Sequence, residues 1–543
     1  MSVKGRKARL AVTAGLAAAL ALGGVVAPVA QAYADTVYSV TVKAPDDSAY
    51  AVDGGYKIYQ LFTGTFGGTK NEHMGNVVAN LTYRDAVLTT LNSVLPAEQK
   101  IDASGMSEAR IAIAITDAIQ DLTDTDARKF ANKLAGALAT VTPTDTQNAT
   151  DGKVAFNVNE TGYYLIASSS TSGANTSAIL VPVNGNVTAE TKVSTPTVTK
   201  QVKVNNEGYK KNTDVGLTSA TTVEKLTYKL EGTVASNIDD YDAYKYVFKD
   251  TLPKGVTADT GRVAQWSVTC KVAYNGVEYP IPEGQFTVAC DTDTATQATN
   301  ITWACADLVA AMNAAGLSSN HGGASIILEY TPNYTADELR NALSNAGMAS
   351  VNNKVELAYS NNPYTGGAGS TATTPADESK VYTYKLALNK VKEDATPLTG
   401  AKFTLKRNGT EVFTDRGVGD DGVLAFTGLD SGVEYELSET TVPAGMKSID
   451  PIKFKITAAK DGATGEVTSV KVKTDDVTDN SHAATFDADN KFDDNVIHVT
   501  VTNIEGADLP LTGQQGIVAG VAVGGIVLTV SLVAISRNRK RSE

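Results

Sequence analysis

Histidine is scarce in this chain. There are four in 543 residues, His73, His321, His482 and His498, with no metal-ligand spacing among them, so histidine-based catalysis and a histidine metal site are not expected. Three cysteines exclude a disulfide-dense scaffold and a four-cysteine zinc site. Cationic excess is missing too. The 47 lysines and arginines against 60 aspartates and glutamates leave a charge of -13, the wrong sign for neutralising phosphates, and no nucleic-acid partner is expected. There is no P-loop, no His-Glu-x-x-His and no Gly-x-Ser-x-Gly. Gly417, Gly419 and Gly422 spell a dinucleotide fingerprint as text, but strand-like segments flank it and no helix follows to receive a pyrophosphate. The chain carries no multi-turnover catalytic constellation and implies no cofactor and no metal.

The chain instead has the composition of a folded protein. It is 42% hydrophobic and 20% charged, with only 16 prolines. Its length predicts roughly three to five domains.

Both ends read as export signals. Lys4, Arg6, Lys7 and Arg9 precede an apolar run from Leu10 to Val26, and small residues follow near Ala34. That order is a secretory signal over residues 1–34, with cleavage after Ala32 or Ala34. At the far end stand Leu509, Pro510, Leu511, Thr512 and Gly513, then an apolar stretch from Ile517 to Ile535, then Arg537, Arg539, Lys540 and Arg541. Such a stretch can span a bilayer and a basic tail holds it on the cytoplasmic side. The three parts over 509–543 together resemble the LPxTG cell-wall sorting signal of Gram-positive surface proteins. The resemblance implies that a sortase cysteine attacks the Thr512 carbonyl, releases Gly513 onward and holds a thioester until an amine resolves it.

Between the signals the pattern is mainly β and divides into three modules. Residues 35–194 mix strands, at 36–42, 56–62 and 162–167, with two helical stripes. Val87, Leu88, Leu91, Val94 and Leu95 form one stripe, with Thr82 and Asp85 placed as a capping box; Ala127, Phe130, Ala131, Leu134 and Leu138 form the other. Residues 195–377 carry alternating strands and end in a Gly/Ser/Thr-rich stretch, Gly366 to Thr374, which reads as a linker. Residues 378–508 are nearly all strand and turn, the pattern of a sandwich. Lys57 and Glu160 in the first module are as easily a strand lysine and a turn glutamate, and no bond is assigned there.

In the third module a strand containing Lys390 is followed by Pro397 to Leu405, with Gly400, Ala401 and Phe403. Further on come Tyr435 to Glu439, Pro443-Ala444-Gly445, and Val499 to Asn503. This order resembles the adhesin B-type domain of Gram-positive surface proteins and pilins. The resemblance implies a covalent Lys-Asn isopeptide bond assisted by a glutamate, at Lys390, Asn503 and Glu439. The second module resembles the adhesin A-type domain of major pilins through Pro196 to Lys200, Tyr246 to Pro253 and Asn353 to Pro363. The implied trio is Lys200, Asp250 and Asn353, with Asn352 as the neighbour one register position away. The residue types suit the chemistry. Burial favours a neutral lysine, which is a nucleophile, and a protonated carboxyl, which can polarise the amide and shuttle a proton as ammonia leaves. The competing reading is an ordinary salt bridge beside a strand-ending asparagine.

A polymer subunit also needs an exposed amine. By resemblance to the pilin family this is Lys192, after Val187 to Thr191, although Thr191 stands where proline is usual; Lys203 is the runner-up. Export leaves room for one disulfide among Cys270, Cys290 and Cys305. Cys270 and Cys290 are preferred because both lie in strand-like runs, and spacing leaves the pairing open.

The whole pattern resembles a major shaft pilin of a sortase-assembled Gram-positive fimbria, built of tandem Ig-like sandwiches with helical insertions in the first. It implies a pilus-specific sortase, identical subunits in a covalent polymer, minor or tip pilins, peptidoglycan reached through a housekeeping sortase, and a cell-wall-anchored location. Host ligands stay open. The alternative is a monomeric peptidoglycan-anchored adhesin, which would share the signals and sandwiches but not use Lys192.

Overall fold

The structure is a computed structural model that describes residues 37–45, 52–67, 73–168, 177–190, 194–252, 256, 258–295, 298–338, 350–365, 368–474, 484–486 and 496–506. The signal-like segment 1–34, Lys192 and the sorting segment 509–543 lie outside these residues. Among the described residues no helix is long and apolar enough to cross a membrane. The described chain is mainly β, in six sheets that make three successive two-sheet units.

In the first unit the strand Tyr38–Lys43 lies between Lys153–Val158, antiparallel, and Val187–Glu190, parallel. A second sheet is ordered His73–Ala79, Gly55–Gly67, Gly162–Ser168, Ile179–Val183. Both faces of this second sheet are buried. Tyr56, Ile58, Tyr164 and Ile166 pack against the first sheet, while Tyr59, Leu61 and Leu165 pack against helices. The alternation of side chains along a strand lets one segment serve both cores.

Those helices are Leu81–Val94, Glu108–Gln120 and Asp124–Ala137. Both expected stripes face the core, with Val87, Leu91, Phe130, Leu134 and Leu138 fully buried. The cap of the first helix is different from expectation. Asn80 accepts the Thr82 amide at 3.1 Å, so the helix begins two residues earlier than a Thr82–Asp85 box requires. The middle helix was not anticipated, although Ile111, Ala112, Ile115 and Ile119 form its buried face.

The second unit opposes a seven-stranded sheet to a five-stranded one. The larger contains Tyr246–Thr251, Thr299–Cys305, Ser350–Asn362 and Asp377–Tyr382; the smaller contains Val198–Val204, Leu226–Thr233, Ser267–Tyr274 and Ser325–Thr331. The presumed linker is corrected. Ser370–Thr373 is a strand paired with Ser350–Asn362, and Asp377–Tyr382 pairs with the same strand, so the second unit runs to Tyr382 rather than ending at residue 377. Threonine and serine are compatible with a strand edge, and composition alone does not separate that from a linker.

The third unit starts at Tyr384 and has no helix among its described residues. Its first strand, Tyr384–Lys392, runs parallel to its last described strand, Val496–Asn503. An opposed sheet holds Lys402–Arg407, Glu434–Thr441 and Ile452–Lys460. The fingerprint glycines turn between the strands Thr410–Gly417 and Val423–Leu429. Gly422 has φ +77°, and a Cβ there would come within 2.7 Å of the Lys390 carbonyl oxygen, so the turn packs directly on the strand that carries Lys390.

Adjacent units are joined by polar contacts. Asp240 accepts from Arg128 Nε and Ser177 Oγ, both at 2.7 Å, across the first junction. Arg407 bridges Glu224 and Asp430 across the second.

Candidate functional site

Alternation along strands carries two lysines into apolar cores. In the Val198–Val204 strand, Val198, Lys200, Val202 and Val204 point inward. Lys200 is fully buried, as are Asp250 on Tyr246–Thr251 and Asn353 on Ser350–Asn362. The amine of Lys200 contacts the Asp250 carboxylate directly. Asn352 falls on the other face of its strand, half-buried and bonded to Ser350 Oγ at 3.0 Å, so register selects Asn353.

A fourth group was not read from the sequence. The Tyr330 hydroxyl stands 3.2 Å from Lys200 Nζ, donates to both Asp250 oxygens at 3.1 Å, and accepts from Asn353 Nδ2 at 2.7 Å. Asn353 Oδ1 is buried and accepts no hydrogen bond. The available signal was a tyrosine in an alternating strand, since a buried phenol needs a polar partner. Tyr330 pairs in register with Tyr228 and stacks on Trp266, with ring centroids 5.5 Å apart. Asp377 is a further unexpected neighbour, accepting from the Lys200 backbone amide at 2.7 Å.

Burial pulls the Lys200 amine below the ordinary lysine value, and it raises the Asp250 carboxyl above the ordinary aspartate value. A buried ion pair loses much hydration, whereas proton transfer gives an amine and a carboxylic acid with no net charge separation. The site therefore favours the forms required for nucleophilic attack and acid assistance.

In the third unit Lys390 is fully buried and Asn503 nearly so, on adjacent parallel strands of one sheet. Lys390 Nζ contacts Asn503 Oδ1 and donates to the Val501 carbonyl at 3.1 Å. Glu439 reaches across from the opposed sheet. Asn503 Nδ2 donates to its two carboxylate oxygens at 3.2 and 3.0 Å, and to the Lys447 carbonyl at 3.0 Å. The carboxylate thus sits on the nitrogen that would leave. Burial lowers the Lys390 amine to about 8 and raises the Glu439 carboxyl.

The two trios differ in placement. Lys390 and Asn503 lie on the first and last described strands of their unit, so a bond would bracket nearly all of it. Asn353 is followed by the strands Ser370–Thr373 and Asp377–Tyr382, which a Lys200–Asn353 bond would leave outside. In the first unit Lys57 and Glu160 are not brought together. Lys57 Nζ donates to the Ala139 carbonyl at 3.1 Å, and Glu160 accepts from Gln60 at 3.1 Å.

The cysteine expectation is corrected. All three are free thiols, and Cys270 and Cys290 belong to the two opposed sheets of the second unit. Burial pushes Cys270 up to about 12 and Cys305 to about 11, so neither is poised as a thiolate. Of the candidate linking lysines, Lys203 lies in the Val198–Val204 strand with Nζ 4.5 Å from the Tyr209 ring centroid.

Comparison with known proteins finds a family model similar to part of the third unit. Residues 384–473 match the family described as SpaA, prealbumin-like fold domain. The match includes Lys390 and Glu439 and stops before Asn503. No curated protein sequence matches the chain. Among solved structures, the T6 backbone pilin of serotype M6 Streptococcus pyogenes is 15% identical, with 87% of this chain and 99% of that one covered at a TM-score of 0.49. The major pilin SpaD of Corynebacterium diphtheriae is 14% identical, covering 87% and 98% at 0.45. The major pilin SpaA of the same organism is 15% identical, covering 86% and 100% at 0.42.

Proposed function

We propose that this chain is the structural shaft subunit of a covalently polymerised fimbria on a Gram-positive cell surface, internally cross-linked by Lys200–Asn353 and Lys390–Asn503 amide bonds. The observation that carries the reading is a buried amine and amide beside a carboxyl in each of two successive sandwiches, with Asp250 fully buried and Glu439 half-buried. A buried lysine beside a carboxyl and an asparagine is costly as a mere packing device. It is well suited to a reaction performed once.

In the third unit the neutral Lys390 amine attacks Cγ of Asn503. Glu439, whose carboxyl burial raises, supplies a proton to Nδ2 from its acid form, and ammonia departs as the carboxylate recovers the excess proton from the new amide nitrogen. The fold supplies orientation: adjacent parallel strands bring the amine to the amide, and the opposed sheet brings the carboxyl. The Asp250 site performs the same overall conversion. Both are single-turnover reactions of the protein on itself, and the external catalyst is a sortase that joins Thr512 of one subunit to Lys192 of the next. Minor or tip pilins, and peptidoglycan through a housekeeping sortase, complete the assembly.

Denaturing gels of surface extracts, together with intact mass of the mature chain, test this reading. A ladder of covalent multimers and a deficit of two ammonias are expected. A single wall-linked species would assign the protein to monomeric adhesins instead, and absence of any deficit would remove the internal bonds.

A further inference from the structure

The two clusters deliver a proton to the departing nitrogen by different routes. In the third unit a carboxylate touches Asn503 Nδ2 directly, at 3.0 Å. In the second, the hydrogen bond from Asn353 Nδ2 goes to the Tyr330 hydroxyl at 2.7 Å, and both oxygens of Asp250 lie 3.1 Å behind that hydroxyl. The Asn353 side chain also acts on the Asp250 carboxyl as a hydrogen-bonding neighbour, but its 2.7 Å hydrogen bond is the one to Tyr330. Its oxygen also lies 3.2 Å from Lys200 Nζ, so a single hydroxyl touches amine, carboxyl and amide.

We propose that Tyr330 is a catalytic residue of the second-unit reaction, relaying a proton from Asp250 to the departing nitrogen of Asn353. The inference rests on the amide-forming reading above. A phenol suits the task because its oxygen both donates and accepts. Lys200 Nζ bonds to Cγ of Asn353, giving a tetrahedral centre. Asp250 then passes its proton to the Tyr330 oxygen as the Tyr330 proton moves to Nδ2. The Cγ–Nδ2 bond breaks and ammonia leaves. The Asp250 carboxylate takes the surplus proton from the new amide nitrogen, and both Asp250 and Tyr330 end as they began. Burial holds the Tyr330 phenol well above its ordinary value, so the two transfers are concerted rather than passing through a phenolate.

The ring is held for this role. It stacks on Tyr228 at 5.3 Å and 25°, and on Trp266 at 5.5 Å and 13°, with Trp303 5.0 Å away. Tyr330→Phe therefore deletes the hydroxyl and keeps the aromatic packing.

The mature full-length chain is synthesised in a cell-free system and sampled over time. Peptide mapping follows the Lys200–Asn353 and Lys390–Asn503 branched peptides in the same molecules. In Tyr330→Phe the second-unit peptide is expected about 10²- to 10⁴-fold more slowly than in the unmodified chain, the usual range for losing a general acid. The third-unit peptide should form at an unchanged rate. Before its bond forms, Tyr330→Phe should melt like Asn353→Ala, which shows that the second unit is folded. Equal second-unit rates in the two chains overturn the relay, and so does a Tyr330→Phe melting point well below that of Asn353→Ala, because the hydroxyl would then be structural. If the unmodified chain never forms the second-unit peptide, the cross-linking reading itself fails and the relay with it, an outcome separable from the other two.

Discussion

Replacing Glu439 by glutamine separates the third-unit bond from its ingredients. Lys390 and Asn503 remain, on strands whose pairing does not involve position 439, and glutamine fills nearly the same volume. Only the acid is lost, so the chain should fold and retain the ammonia of that site. The cost follows from chain entropy. A Lys390–Asn503 bond closes a loop of 113 residues, and loop closure of that length stabilises by about 5 kcal/mol through restriction of the unfolded chain. For a unit of this size that corresponds to a drop in melting temperature on the order of 15–30 °C. Scanning calorimetry of the mature chain should show one transition moving down by this amount while the second-unit transition stays in place. Limited trypsin digestion should then open residues 384–506 first. Intact mass decides whether the premise holds, because Glu439→Gln must show one ammonia less of deficit against its own sequence mass than the unmodified chain does. If it does so but melts unchanged, the bond does not stabilise the unit; if it carries the full deficit, Glu439 is not needed.

The same variant exposes the buried lysine to titration. Lys390 has a folded value of about 8 against 10.5 in the unfolded chain, so between those values the unfolded chain binds more protons and stability rises with pH. The third-unit transition of Glu439→Gln should therefore climb from about pH 8, or slightly below because the Glu439 charge is gone, whereas the cross-linked chain has an amide there and should lack this rise; calorimetry across pH 7 to about 11 measures it. Asn353→Ala should restore one ammonia to the mature mass and Asn352→Ala should restore none, and a reversed result would mean that the register of Ser350–Asn362 is wrong. Lys192→Ala should abolish the multimer ladder while leaving monomer anchoring, and Thr512→Ala should remove both. Sequencing the branched peptide from purified fimbriae checks the linkage, and Thr512 joined to Lys203 would overturn the choice of Lys192.

Strand alternation made much of the architecture legible in the linear chain, because residues two apart share a face whatever sheet they join. The inward positions of Lys200 and Lys390 follow from that period, as do the Val87–Leu91–Leu95 and Phe130–Leu134–Leu138 helix faces from theirs. The near-absence of histidine and the three cysteines likewise narrowed the chemistry before any fold was known. Other features depend on which strands meet. Ser370–Thr373 has linker composition and becomes a strand only because Ser350–Asn362 offers it an edge. Cys270 and Cys290 lie in similar-looking strands, yet their sheets oppose each other. Tyr330 is 130 residues from Lys200 and 80 from Asp250, and nothing local distinguishes it from the other tyrosines of the second core. Its hydroxyl acquires three reactive neighbours only when two sheets close on one another. Local periodicity decides which way a side chain points, and the pairing of distant strands decides what it meets.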